Sequence, residues 1–198
     1  MAEKPSYLQR LNGIALAESR AHAYFSAWAE VTPSDDVRAV LRKVAAREGD
    51  HGMAFAKRVD ELGFVLEQRD DPNFANQMAI ATSTELTDLE KMDKLGFPSY
   101  FETIEDGPDI FDNFFADHSI DVTTGELFGR YISEERDTIR RLCSCYNELK
   151  AAAEPEPGGA EELRTLEAKV DAIAAMVEQL VSNSPAAPKV TKPGRARA

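Results

Sequence analysis

Apolar residues recur at every third or fourth position along most of the chain, a pattern typical of helices that bury one face. No segment alternates apolar and polar residues with a period of two, so no strand is predicted. The periodicity is interrupted near Pro33, Gly63 and Gly96, which are residues that start or stop helices. It therefore predicts four long helices, at about 6–31, 34–62, 74–95 and 123–153.

Four helices with one apolar seam each predict an all-α fold. The arrangement that buries all four seams is an antiparallel four-helix bundle, here over residues 1–153 with an extra C-terminal helix after it. Residues 98–120, between the third and fourth long helices, are rich in aromatics and acids. Gly107-Pro108 splits this stretch, which predicts one or two short helices there.

The C-terminal part of the chain has a different pattern. Residues 154–159, EPEPGG, are predicted to be a linker, and residues 160–183 a short helix with a heptad repeat. This helix either pairs with its copy in another subunit or lies back on the bundle. Self-association is favoured, so we expect a homo-oligomer, with a dimer preferred. The last segment, 184–198, is predicted to be a disordered basic tail, either solvated or tethered to an anionic partner.

Each long seam contains one carboxylate where an apolar residue is expected. All four carboxylates have apolar residues at offsets of −7, −4 and +7, and each lies near the middle of its helix. Because antiparallel packing brings helix middles to one level, the four should converge in the core. These residues are Glu18, Glu48, Glu85 and Glu135.

Buried carboxylates must be protonated, paired with cations or bound to a metal. No lysine or arginine lies in the four seams, so a divalent cation is the simplest partner. His51 follows Glu48 by three residues and lies on the same helix face, where both can bind one ion. Carboxylate oxygens with an imidazole nitrogen suit iron, or manganese in its place.

Three segments, LAESRAHAYFSAWA, AAREGDHGMAFAKRVDEL and ISEERDTIRRL, carry a resemblance to a known family. The chain resembles the ferritin-like superfamily, in particular the rubrerythrin-like di-iron carboxylate proteins, over about residues 6–150. Those proteins have a glutamate on the first and third helices and an ExxH motif on the second and fourth. The resemblance implies that Glu18 is a terminal ligand, Glu48 a bridging ligand and His51 a histidine ligand.

The resemblance also implies ligands on the third and fourth helices. Glu85 matches the third-helix glutamate, with Asp88 one turn later as an additional oxygen donor. The fourth helix departs from the family. Its second ExxH is either Glu134 with Asp137 or Glu135 with Thr138, and neither register contains a histidine. The apolar stripe favours Glu135, and His22 on the first helix is a further candidate. We therefore expect either one iron ion or two held asymmetrically.

Composition narrows the classes of function. The net charge of −12 argues against a nucleic-acid partner, and no apolar run is long enough to span a membrane. Cys143 and Cys145 form CxC rather than the paired CxxC motifs of a rubredoxin iron site. A cytoplasmic protein that takes electrons from an external donor is expected.

Two functions follow. The first is a non-haem iron-binding oxidoreductase that acts on peroxide or dioxygen, or that oxidises iron itself. The alternative is a non-catalytic helical scaffold that has lost the metal site and that oligomerises through its C-terminal helix. The missing fourth-helix histidine favours the scaffold, whereas the ExxH of the second helix and the shared level of the carboxylates favour the enzyme.

Overall fold

The computed structural model describes residues 4–105, 111–154 and 159–182. All regular elements in these ranges are helices, which confirms the all-α class. The predicted break at Gly107-Pro108, most of the 154–159 linker and the 184–198 tail lie outside the described residues. The described helices are α1 (Leu8–Val31), α2 (Asp35–Glu61), α3 (Phe74–Thr82), α4 (Asp88–Lys94), α5 (Phe97–Glu105), α6 (Val122–Ala153) and α7 (Gly159–Ser182).

Helices α1 and α2 form an antiparallel hairpin. Arg38, early in α2, donates from Nε to the carbonyl of Ala29, late in α1, at 3.2 Å. The connection is short because Ser34 caps α2 by accepting from the Val37 amide. Gly63, with φ of +82°, then ends α2 as its position in the sequence predicts.

Helix α6 runs antiparallel to α2 and is joined to it by side-chain bonds along its length. Arg47 reaches the Thr138 hydroxyl at 2.9 Å, and Arg58 reaches the Thr124 hydroxyl at 2.9 Å. The later residue of α2 therefore meets the earlier residue of α6. Three long helices thus form the framework in which the candidate site lies.

The expectation of one continuous helix over 74–95 is wrong. Helix α3 ends at Thr82, the chain is extended at Ser83, and Thr87 begins α4 with a capping box to Glu90. The Ser83 hydroxyl accepts from the amides of Glu85 and Leu86 within the break. The position of the fourth bundle helix is consequently built from shorter pieces.

A buried polar group fastens α4 to α1. The Asp88 carboxylate accepts from the Trp28 indole at 2.7 Å and from the Thr32 hydroxyl at 2.6 Å. Lys91, one turn later, lies over the Trp28 ring and donates to the Ala81 carbonyl at 3.1 Å. Asp88 is therefore engaged in holding helices together, and its prediction as an additional metal oxygen is wrong.

Two apolar clusters fill the core of the first compact unit, Met1–Ala152. One cluster is formed by the end of α1, the start of α2 and the later part of α6, and it includes Phe25, Trp28, Leu41, Val44, Ile139 and Leu142. The other takes the opposite ends of the same helices and includes Leu11, Ala15, Phe55, Val59, Phe128 and Tyr131. Along each long helix, the residues between the two clusters form a polar layer.

Helix α7 belongs to the second unit, Ala153–Ala198. Among its side chains that the structure describes, five large apolar ones are more than half exposed: Leu166, Val170, Ile173, Met176 and Val177. Its pairing with a second copy stays a prediction. Among the described residues, no helix combines the length and apolar character that crossing a bilayer requires.

Candidate metal centre

The polar layer contains one group of side chains with metal-ligand chemistry. Glu18 from α1, Glu48 and His51 from α2, and Glu135 from α6 each offer one ligand atom, and these atoms all lie within 4.8 Å of one another. All four residues are buried, with at most 9% of their surface exposed. Three carboxylates and one imidazole from three helices thus meet at one point.

A close approach of α1 and α2 brings these residues together. A Cβ atom at Gly52 would lie 2.7 Å from the Ser19 hydroxyl and 3.2 Å from the Ser19 amide nitrogen. A larger residue would require the Ser19 side chain to rotate and the backbones to shift by a few tenths of an ångström. Because Gly52 directly follows His51 and Ser19 directly follows Glu18, this close approach contributes to the short distance between the two ligand residues.

Two adjacent glutamates of α6 contact opposite ring nitrogens of His51. The Nε2 atom of His51 lies 2.7 Å from Oε2 of Glu134, which is itself paired with Arg130. The Nδ1 atom faces the cluster, 3.2 Å from Oε1 of Glu135 and 3.9 Å from Oε2 of Glu18. Glu135 therefore lies in the cluster, and Glu134 holds the opposite ring nitrogen, as carboxylates do behind metal-bound histidines.

Three atoms of the cluster make no well-oriented hydrogen bond, although Nδ1 of His51 lies at ion-pair distance from the other two. Among the buried side-chain atoms of the described residues, these are Oε2 of Glu18, Nδ1 of His51 and Oε1 of Glu135. Buried polar atoms are almost always hydrogen-bonded, because leaving one unpaired costs about 1–3 kcal/mol. All three are ligand-type atoms aimed at the same point, so the residues present fit a bound cation.

The electrostatics of the cluster favour bound protons when no cation is present. Burial raises the pKa of the Glu48 carboxyl, and the neighbouring carboxyl groups of Glu18 and Glu135 add to the rise. Burial likewise raises the pKa of Glu135. Burial lowers the pKa of His51, but the carboxylates of Glu135 and Glu134 outweigh it, and the net change is upward. A metal ion must displace these protons, so its affinity should increase with pH.

Tyr131 orients the ligands from the neighbouring apolar cluster. Its hydroxyl donates to Oε1 of Glu18 at 2.8 Å, and its ring meets the His51 ring edge-on at 5.0 Å between centroids. Burial, followed by the charges of Glu18 and Glu135, raises the pKa of the Tyr131 phenol. The phenol therefore keeps its proton and remains a donor that fixes one oxygen of Glu18.

Arg47 supports the candidate site, and the apolar stripes do not indicate it. It lies beside the α2 seam and donates to the Glu134 carbonyl at 2.8 Å and to Asp137 at 2.9 Å. These bonds hold α6 against α2 at the level of the cluster. Its charge also opposes the rise in the pKa of Glu48 and Glu135.

Two predicted ligands do not reach the cluster. Glu85 lies exposed in the break between α3 and α4, so its prediction as a core-facing ligand is wrong. The reason is the capping box at Thr87, which starts a new helix and turns the preceding residues outward. His22 directs Nδ1 to the Ala45 carbonyl at 2.6 Å and is used between α1 and α2. The described residues thus provide one four-residue group, which suits a single ion.

Comparisons with protein-family models, with curated proteins and with solved structures found no match. The fold and the site nevertheless define a class. The protein is helical, with a buried group of glutamates and a histidine that can hold a metal ion, and it is compatible with a ferritin-like bundle.

Proposed function

We propose that the protein binds one iron ion through Glu18, Glu48, His51 and Glu135 and acts as a non-haem iron oxidoreductase on peroxide or dioxygen. The observation that carries the proposal is the convergence of four buried ligand atoms within 4.8 Å, three of them without a well-oriented hydrogen bond. An oxygen-rich donor set with one imidazole suits Fe²⁺ or Mn²⁺ better than softer metals.

The charge of the ligand set supports redox chemistry. Three carboxylates and a neutral imidazole around a divalent ion leave a net charge of about −1 in a buried site, where charges interact strongly. Such a set favours the trivalent over the divalent state of the ion. A bound ferrous ion would supply one electron to an oxidant. Reduction of peroxide to two waters takes two electrons and two protons, so an external donor supplies the second electron and a further one that returns the ion to the ferrous state.

The proposal is tested by adding peroxide to protein loaded anaerobically with Fe²⁺. We expect one ferrous ion bound per chain and its oxidation at least about tenfold faster than that of free Fe²⁺, because open positions admit the oxidant. Ferrous iron is measured with a colorimetric chelator after rapid quenching. If the folded wild-type protein binds no iron, the proposed oxidoreductase activity is refuted. The alternative is then a non-catalytic helical scaffold, which the exposed apolar residues of α7 support.

Glu134 provides a prediction about the histidine ligand. Glu134→Ala removes the carboxylate behind Nε2 of His51, so the affinity for Mn²⁺ should fall about 10–100-fold. The affinity of Glu134→Gln for Mn²⁺ should fall less, because the glutamine amide oxygen still accepts a hydrogen bond from Nε2 of His51. Affinity is measured by calorimetric titration.

The matched control is Glu85→Ala, an exposed glutamate from the break between α3 and α4. It should bind Mn²⁺ as the wild type does. An unchanged affinity in Glu134→Ala would contradict the role of Glu134. Complete loss of metal in Glu134→Ala would instead make Glu134 a ligand.

A further inference from the structure

A cavity of about 290 Å³ opens directly beside the candidate metal centre. Glu18, Glu48 and Glu135 form part of its wall, so three of the four ligand residues border the same space. A molecule in this cavity would lie next to an ion held by those residues. No step of the proposed function uses a space of this size, since peroxide and dioxygen are much smaller.

Part of the remaining wall is apolar and aromatic, beside the polar residues Arg20, Asp71 and Gln77. Phe97 is stacked on Phe25, with centroids 5.8 Å apart and planes 11° apart, and on Trp28, with centroids 6.5 Å apart and planes 5° apart. Phe25 and Phe97 both line the cavity. Further lining comes from Leu95, Phe101, Ile139 and Leu142. Such a surface favours a flat apolar ring.

The broken third helix accounts for this wall. Gly96, with φ of +78°, turns the chain between α4 and α5, and α5 then presents Phe97 and Phe101 to the cavity. Glu85 lies outside in the break. Glu85 is therefore not part of the cavity wall, to which α5 contributes aromatic side chains.

Size and charge narrow the class of ligand. The volume is roughly twice the ~150 Å³ of an apolar cavity that holds benzene, so one substituted ring fits. The three carboxylates leave the inner end negative even with a divalent ion, which disfavours anions. Arg20, a lining cation, is paired with Asp71 at 3.6 Å and donates to the Arg69 carbonyl. A cation is disfavoured as well, because the bound metal ion would occupy the three carboxylates and the lining Asp71 is paired with Arg20, so the cavity suits an uncharged molecule.

We propose that this cavity binds a small uncharged molecule with a single aromatic ring, the ring against Phe25 and Phe97 and one edge at the metal position. The assignment rests on the proposed function insofar as it makes that molecule a ligand or substrate of the iron site. The polar substituent of such a ring would point to the carboxylate end, where a hydroxyl can donate a hydrogen bond.

The test uses two probes of nearly the same shape, para-fluorobenzyl alcohol and para-fluorobenzoate, followed by fluorine NMR on the full chain. The alcohol should bind at least about tenfold more tightly than the carboxylate, because charge burial beside carboxylates is costly. Manganese(II) in the site should broaden the signal of the bound alcohol strongly, and zinc(II) should not. The metal content of each sample is measured separately.

Ala21 offers a variant that fills the cavity and leaves every ligand intact. It lines the cavity one turn after Glu18, so Ala21→Leu should weaken binding of the alcohol at least about tenfold while the metal content stays the same. The matched control is Ala46→Leu, at an exposed position of α2 outside the cavity lining, which should bind as the wild type does.

The inference is overturned if the carboxylate binds as tightly as the alcohol, if Ala21→Leu leaves binding unchanged, or if bound manganese does not broaden the signal. Failure of the proposed function has a different signature, a folded wild type that takes up no metal. In that case, binding of the alcohol to metal-free Ala21→Leu and Ala46→Leu shows whether the cavity binds the ring independently of a metal ion.

Discussion

Replacing Glu48 and His51 together by alanine should reduce bound iron or manganese from one ion per chain to almost none. The pair supplies two of the four ligand atoms, and both come from one turn of α2. The two remaining carboxylates on α1 and α6 should hold a divalent ion far more weakly, because half of the donor atoms are lost. The measurement is elemental analysis after expression with iron and manganese.

A second double variant on the same helix provides the control for the first. Asp50→Ala/Met53→Ala removes two exposed side chains of α2 with the same spacing and should keep the full metal content. Circular dichroism checks that both proteins are helical. Retention of metal in Glu48→Ala/His51→Ala would place the ion elsewhere and contradict the assigned centre.

Asp88→Ala should lower the free energy of unfolding by about 3–5 kcal/mol, the range for removing one partner of a buried charged group. The substitution leaves the Trp28 indole and the Thr32 hydroxyl without acceptors. It also removes the carboxylate whose charge raises the pKa of buried Lys91 against the larger lowering by burial. Helix α4 would then lose its attachment to α1.

The change in stability is measured by urea unfolding in the presence of a chelator, so that metal binding does not contribute. Asp60→Ala, at an exposed position of α2, is the control and should change stability by less than about 0.5 kcal/mol. The loss of stability in Asp88→Asn should lie between those of Asp88→Ala and Asp60→Ala, because the asparagine amide oxygen still accepts one hydrogen bond. A loss below about 1 kcal/mol in Asp88→Ala would contradict the anchoring role.

The sequence was sufficient for the parts of the site that depend on a single buried seam. The stripes of α1, α2 and α6 predict both the helices and the shared level of Glu18, Glu48, His51 and Glu135. Periodicity works there because each helix buries one continuous face for its whole length. The preference for Glu135 over Glu134 as the core-facing residue is confirmed for the same reason.

The third helix shows where periodicity is insufficient. The apolar spacing continues from α3 into α4, but Thr87 and Glu90 form a capping box that starts a new helix and leaves Glu85 exposed. That signal is visible in the sequence as Thr87-x-x-Glu90 and competes with the period. The capping box outweighs the apolar period here because α3 buries only Ala81, so little burial favours continuing one helix.

Other features depend on distances between helices and could not be predicted from one sequence. Arg47 lies outside the apolar stripe, and its bonds to Glu134 and Asp137 exist only because α6 is close. The role of Glu134 as the partner of His51 has the same origin. The aromatic cavity likewise requires the turn at Gly96, which brings α5 beside the carboxylates.

The contact at Gly52 has a consequence for protein engineering. A designer who copied Glu18, Glu48, His51 and Glu135 onto another helical scaffold would transfer every donor atom of the centre. The graft would reproduce the geometry of this centre only if the scaffold also brought two helix backbones as close as Gly52 and Ser19 lie here. The backbone spacing is therefore as much a part of the transferable unit as the ligands are.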